Sequence, residues 1–503
     1  MKCIRHSAII AAVLCGTTAT ADVTAQQVWD NWTDQMEVYG QGFTTGGEDM
    51  SGDTLTISDV KIEMSDDEAS VTAALGDIML VENGDGTVTV TVPDSYPITL
   101  NFTPEYGDPS VINLAVTHEE MVLNVSGDPE TMIYDISADK YAISVDSLGG
   151  NADEEVELTD AMFAMIDLAG TYSVKSDNLT RIAYAFNVGA LDIDVLFNEI
   201  DGDSVVAANG DITDLAMFAN LTTPIDMDMD GGTPPFIDGL AFEGGYTFGA
   251  LEYSFDVDVD GEAASGTASV DSGLLDVEMD IDGLSYIGES RDISINLLIP
   301  EEVPFPLEVA MGKYGFDFQI PLSQGEDGPR DARMAFNFTD LAISETIWNM
   351  ADPQSILPRD ALTIALGLDA QVTPFFDFLD PAQQEAAMMS DVPGELNGVQ
   401  ITELTVRGAG AEITGNGAFT FDNSDLETFE GLPRPEGRVD FAINGVNGLV
   451  DKLIQMGLIP EEEAMMPRMM LGMFATPVGD DMLTSTIEVN GEGHLLANGQ
   501  RLR

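Results

Sequence analysis

From residue 53 onward, apolar and polar side chains mostly take turns. The segments "TLTISDVKIEM", "TVTVTV", "PITLNF", "MVLNVS", "YAISVDS" and "ISINLLI" alternate or run apolar, and Gly, Asn, Asp and Pro punctuate them. Period two is the signature of a β-strand with one buried and one solvated face. "VENGDGTVTV" predicts a tight hairpin, because Asn-Gly and Asp-Gly tolerate positive φ. The texture continues past residue 320 and returns at 395–444 and 483–499. These segments predict a mainly β protein of elongated antiparallel sheets and hairpins, with a few peripheral helices.

Helical spacing is sparse. In "VTAQQVWDNWTDQMEVYG", Val28, Trp29, Trp32 and Met36 recur at steps of three and four, with Thr24 as cap and Gly40 as stop. The Trp pair is expected to anchor this helix on the body of the protein, since its other face is acidic. "TDAMFAMIDLAG" predicts a short helix near residue 160. "SETIWNMAD" and "DPAQQEAAMM" predict helices in the poorly stranded region 341–393. A helical pair is expected over 446–475, with Pro460 opening its second member and three glutamates at the positive end. "GGTPPFIDG", 231–239, is the candidate boundary between a β-rich half at 22–230 and another at 240–503. A loop within one long sheet would read the same way. "VGALDIDV" near 190 and "FGALEYSFDV" near 250 echo one another faintly.

Four stretches alternate acids with apolar residues: "LDIDV", "IDMDMDGG", "FDVDVDGE" and "LDVEMDIDG". Residues two apart on a strand are separated by about 6.6 Å, too far for close sharing of a calcium ion with oxygens about 2.3–2.6 Å away. Glu278, Asp280, Asp282 and Glu289 fall at positions 1, 3, 5 and 12 of a calcium loop. Glu at position 1, Ser285 at position 8 and the lack of flanking helices favour a solvated strand face followed by a turn. The expected cation binding is therefore weak and diffuse.

Composition narrows the partners. A formal charge of −71 repels nucleic acid and anionic lipid surfaces. At 44% apolar residues the chain can still build a core. No later run suits a membrane span; "MMPRMMLGMFATPV" comes nearest and carries Arg468 and two prolines. Residues 1–21 read as a secretory signal: Lys2, Arg5 and His6, then a short apolar core, then "ATA" before Asp22. Leu14 precedes Cys15 where a lipobox wants a small residue, so cleavage after Ala21 is preferred. Such cleavage removes Cys3 and Cys15 and places the protein in the periplasm or outside the cell, without disulfides or zinc thiolates. Motifs for a serine nucleophile, a P-loop or a dinucleotide site are missing. His118 and His494 are both expected at exposed turns. No catalytic or cofactor-binding residue is assigned.

The start of the exported chain, "ADVTAQQVWDNW", with "LTISDV" and "VENGDGTVTVTVP", and the end, "GRVDFAINGVNGLVDKLIQMGLIPEEEAMMPRMMLGMFA" with "GDDMLTSTIEVNGEGHLLANGQRL", resemble the alphaproteobacterial envelope proteins of domain of unknown function 2125. More loosely, helices before a closing hairpin are similar to AsmA-like envelope proteins. That likeness implies a long β-structure tied to lipid handling or outer-membrane assembly, although this chain lacks an N-terminal membrane anchor. The leading expectation is a non-enzymatic envelope protein that binds an apolar or amphipathic ligand, a lipid or a partner protein along a sheet face. The alternatives are an acidic structural or cation-buffering surface protein and, third, a hydrolase. The 25 methionines fit adaptable apolar binding, or ordinary core filling, with "MMPRMMLGMF" the densest cluster.

Overall fold

In this computed structural model, the described residues are 22–38, 42–65, 69–103, 110–149, 156–199, 204–224, 236–259, 261–325 and 328–503. The expected signal segment, the acidic run 225–230 and most of the expected boundary lie outside them. Strand accounts for 66% of the structure and helix for 13%, which makes it mainly β, as the alternation predicts. Two compact units form. One comprises the described parts of Met1–Ala152 and Leu168–Asp177, the other those of Asp153–Asp167 and Asn178–Arg503.

The first unit contains helix α1 (Ala25–Val38). Its strands are β1 (Gly42–Thr44), β2 (Gly47–Ser51), β3 (Thr54–Ser65), β4 (Ala69–Glu82), β5 (Val88–Thr91), β6 (Ser95–Phe102), β7 (Ser110–Glu119), β8 (Val122–Asp128), β9 (Thr131–Gly149) and the second half of β10 (Val156–Ser176). β4 and β5 form the predicted hairpin, with Glu82 opposite Val88 and positive φ at Gly84 and Gly86. Thr24 and Gln27 cap α1 reciprocally. The Gln27 N–H donates to Thr24 Oγ1 at 3.3 Å, and the Thr24 N–H donates to Gln27 Oε1 at 3.0 Å.

Alternate residues of β3, β4, β5 and β8 face one core. Leu55, Ile57, Ile78, Leu80, Val88 and Val125 are at most 1% exposed. Ala25, Val28 and Trp29 of α1 cover them, with Trp32 packed at the margin. Polar ends are satisfied at that margin: Trp29 Nε1 donates to Glu48 at 3.0 Å, and the Tyr134 and Tyr172 hydroxyls donate to Asn31 and Gln35 at 2.8 and 2.9 Å. α1 is thus the lid of a closed core, as the Trp spacing predicts.

The second unit begins with the first half of β10. Long strands follow: β11 (Leu179–Glu199), β12 (Val205–Pro224), β13 (Ala241–Phe248), β14 (Leu251–Val259), β15 (Glu262–Val270), β16 (Ser272–Met279), β17 (Gly283–Ile299), β18 (Val303–Pro321) and β19 (Arg330–Ile343). Next come α2 (Glu345–Ala351), β20 (Leu362–Pro374), α3 (Pro381–Met389), β21 (Gly394–Gly408), β22 (Ala411–Asp422) and β23 (Arg434–Asn444). The chain closes with α4 (Val446–Gln455), α5 (Glu461–Phe474), β24 (Thr476–Gly479), β25 (Met482–Val489), β26 (Leu495–Ala497) and β27 (Gln500–Arg501). The strands pair antiparallel, mostly with near neighbours in sequence. All four expected helices of 341–393 and 446–475 form.

Three expectations are corrected. Residues 159–170 are not helical but lie within β10, where the apolar Met162, Ala164, Ile166 and Leu168 fall at even steps and strand pairing wins over helical propensity. The region 341–393 includes a full strand, β20. His118 is buried near the end of β7 rather than exposed on a turn; it sits opposite Tyr141 and its Nε2 contacts the Pro93 carbonyl at 2.9 Å.

Trp29→Ala should remove the centre of the α1 lid and cost about 3–5 kcal/mol; urea unfolding followed by near-ultraviolet circular dichroism measures it. Burial pushes the Tyr134 phenol above its usual range, with Trp32 tempering the shift and Tyr172 adding to it. Burial, with the bond to Tyr141, does the same for Tyr96. Because both folded pKa values exceed the unfolded one, this stabilisation is complete below pH about 10. It should fall as pH rises further, as a melting series into alkali would show.

Candidate functional site

The registers of the second unit place one apolar row across its strands. Tyr184 of β11 lies opposite Ala219, then in turn come Gly244, Val277, Tyr286 and Phe318. The row continues through Met334, Leu368, Ile401, Gly417, Val439 and Ile487 of β25. Every member is apolar or glycine. One residue along each strand, the parallel row runs Asn220, Glu243, Glu278, Ser285, Gln319, Arg333, Asp369, Gln400, Ala418, Arg438 and Glu488, and only Ala418 lacks a polar side chain. Side chains alternate across a sheet, so the two rows occupy opposite faces.

The apolar face is open, unlike the face beneath α1. Tyr286 is 39% and Met334 44% exposed, and Tyr184, Tyr246, Phe336, Ile364 and Val406 are comparable. Twelve strands at about 4.8 Å spacing make the row roughly 50 Å long. Alternate residues extend it about 20 Å along the strands. About 1,000 Å² results, beyond the ~300–600 Å² of the largest patch on a typical monomer.

Its floor is paved by rings lying over glycines. A Cβ on Gly288 would collide with the Phe316 ring, one on Gly273 with Phe248, and one on Gly266 with Phe255. Tyr286 and Phe316 pack at 4.7 Å between centroids, Tyr314 and Phe338 at 5.2 Å, and Phe336 and Phe338 at 4.8 Å.

A second apolar tract lies nearer the other end of the strands: Ile193, Gly210, Tyr253, Ala268, Ile295, Val309 and Ile343 are abreast. The tracts differ in parity, and the change falls at a repeated device. Asp167, Asp214, Asp292 and Asp340 sit mid-strand with φ of 50–55°. Asp tolerates this left-handed conformation better than most residues. A Cβ on Gly189 would lie 3.1 Å from Asp167 Cβ, one on Gly249 3.2 Å from Asp214 Cβ, and one on Gly312 3.3 Å from Asp340 Cβ. Gly189 and Gly249 are the glycines of the "VGAL" and "FGAL" echo, so that echo marks positions where an aspartate turns against the next strand.

Among the described residues, the polar face holds strand acids of the alternating stretches such as Asp256, Asp258, Asp276 and Glu278. Asp256 and Asp258 lie on β14, with Phe255 and Val257 on the other parity. A cleft of about 440 Å³ there is lined by Asn209, Ser254, Asp256, Ser265 and Thr267 among others. The four residues of the calcium-loop pattern are spread along a hairpin. Glu278 is the penultimate residue of β16, opposite Ser285. Asp280 closes the turn by accepting from the Asp282 and Gly283 N–H groups at 2.8 and 3.0 Å. Asp282 contacts Ser323 and Arg330. Glu289 lies opposite Leu274, four residues or about 13 Å along β17 from Ser285. Its carboxylate is paired with Arg291 and Lys313, each at 2.5 Å, and although burial raises its pKa, these cations hold it below the ordinary value. Among the described residues, no group of three or more His, Cys, Asp or Glu is arranged to hold a metal ion.

His494 lies in the turn after β25, 3.2 Å from Glu492, while His118 belongs to the other unit. No described helix is long and apolar enough to cross a membrane. The open apolar face itself was foreshadowed by alternation, but its continuity depends on registers that a single sequence does not display.

No curated protein and no solved structure matches the chain. Residues 316–490, from the ring-paved floor at Phe316 to the end of β25, match the model of DUF2125, a family described as an uncharacterized protein conserved in bacteria.

Proposed function

We propose that the apolar face of the second unit binds acyl chains of an amphiphile in the cell envelope, in a non-enzymatic role. The observation that carries this is the row from Tyr184 to Ile487: twelve strands contribute apolar or glycine positions, and Tyr184, Tyr286 and Met334 stand exposed in it, although Val439 is buried. Covering such a face with hydrocarbon gains about 25 cal/mol per Å² of apolar surface removed from water. Export through residues 1–21, with cleavage after Ala21, is part of the proposal and would place the protein in the periplasm or outside the cell. The reading of the closing helices and hairpin as AsmA-like belongs to the same proposal.

Native mass spectrometry and lipid extraction of protein purified from its own periplasm test the proposal. Acyl-bearing molecules should co-purify. Phe336→Asp would put a carboxylate on the floor and should weaken binding of a fluorescent fatty acid at least tenfold. A chain that carries no lipid, and whose fatty-acid affinity ignores Phe336→Asp, would refute it.

A second role, as an acidic cation-buffering protein, is favoured by one observation. Asp192, Asp211 and Glu252 lie directly abreast on three strands, and Glu243 lies opposite Glu278. Burial, then Glu243, Asp280 and Asp276, push the Glu278 carboxyl above its ordinary pKa. Its ionisation therefore destabilises the fold, and stability should rise as pH falls through the carboxylate range. Glu278→Gln should stabilise by roughly 0.2–1 kcal/mol at neutral pH and low salt. The gain should shrink in acid and in 1 M NaCl, where the Debye length is about 3 Å. Thermal melts of both proteins across salt and pH measure this.

A further inference from the structure

We propose that α5 presents a binding site for a soft monovalent metal ion, copper(I) or silver(I), made by the thioethers of Met465, Met466, Met469, Met470 and Met473. The proposal is independent of the acyl-chain reading. All five side chains face solvent, at 51–66% exposure. At about 100° per residue they fall within an arc of about 140° on the helix. Ala464 is buried and Leu471 and Phe474 are half-buried on the opposite side, so the helix is seated by that side and the methionines are not needed for its packing. Arg468 ties the helix to Asp451 of α4.

The spacing makes two columns. Met465, Met469 and Met473 follow one another at four-residue steps, and Met466 and Met470 run beside them. Residues four apart stand about 6 Å apart along the axis. The unbranched, three-torsion methionine side chain can close that gap. Thioether sulfur is a soft donor that selects copper(I) over hard cations. Both cysteines of the chain, Cys3 and Cys15, precede the described residues, so among those residues thioethers are the softest ligands.

Charge also favours a cation. Glu461, Glu462 and Glu463 occupy the first turn of α5. At roughly 100° per residue, Glu462 falls within the methionine arc. The whole chain carries −71. Such a face repels an anionic bilayer, whose peripheral helices favour Lys and Arg.

Replacing sulfur while keeping the apolar surface separates metal binding from hydrophobic docking. The variant changes all five methionines to leucine (M465L, M466L, M469L, M470L and M473L). Full-length protein with Cys3 and Cys15 changed to serine, so that thioethers are its only sulfur donors, should bind silver(I) in calorimetry and withdraw copper(I) from a chromophoric chelator, with sulfur scatterers in the copper X-ray absorption spectrum. The leucine variant should keep its circular dichroism and lose at least tenfold in affinity. M388L/M389L, at the exposed pair on α3, should bind as the parent does. Unchanged affinity in the five-leucine variant would overturn the proposal, as would an absorption spectrum of the parent with only oxygen and nitrogen neighbours. The spectrum decides the matter even if the variant fails to fold.

Discussion

Gly244, Val277 and Tyr286 lie abreast because backbone hydrogen bonds lock the register of β13, β16 and β17. Once that register is set, the direction of every other side chain follows from the pleat. A slip of one residue in β16 would bring Glu278 into the apolar row and expose Val277 on the charged face. The separation of a greasy surface from an acidic one thus rests on pairing geometry before any side-chain interaction acts. Arg333 reinforces it on the polar side by bridging Asp317 of β18 and Asp369 of β20, both at 2.5 Å.

The two units use this geometry differently. In the first, α1 lies on the sheet and Trp29 fills the interior, so the apolar side chains are withdrawn from water within the chain itself. In the second, the same alternation leaves aromatic rings at the surface, and pairing along long strands does more of the holding than a sealed interior. Sheets normally bury an apolar face against another layer. On the proposed reading, bound acyl chains would supply that second layer.

Much of this was readable from residue order. The strands, the Asn-Gly-Asp-Gly hairpin, the capped N-terminal helix and Pro460 at the head of α5 all follow local rules whose signals lie within a few residues. "TDAMFAMIDLAG" misled because its short apolar run satisfies helical and strand spacing alike, and only the neighbouring strands decide. His118 misled because its strand partner Tyr141 and the Pro93 carbonyl it contacts are distant in sequence. The acidic pattern at Glu278–Glu289 reads as a strand face followed by a turn, and Asp280 makes that turn. The open face escaped because alternation says that one side is apolar and is silent on whether anything covers it. Its parity also changes at Asp214, Asp292 and Asp340, so a strict two-residue count loses the trail mid-strand.

Those aspartates have a consequence for how such a sheet can grow. Each bulged strand and its glycine-bearing neighbour change parity together, so their pairing stays in step. A hairpin that carries its own aspartate on one arm and its own glycine on the other is therefore a complete module. Copied and inserted between existing strands, it would lengthen the greasy surface without turning any older residue over. Where such an aspartate meets a strand without the glycine, as Asp340 does beside β20, the pairing shifts register instead.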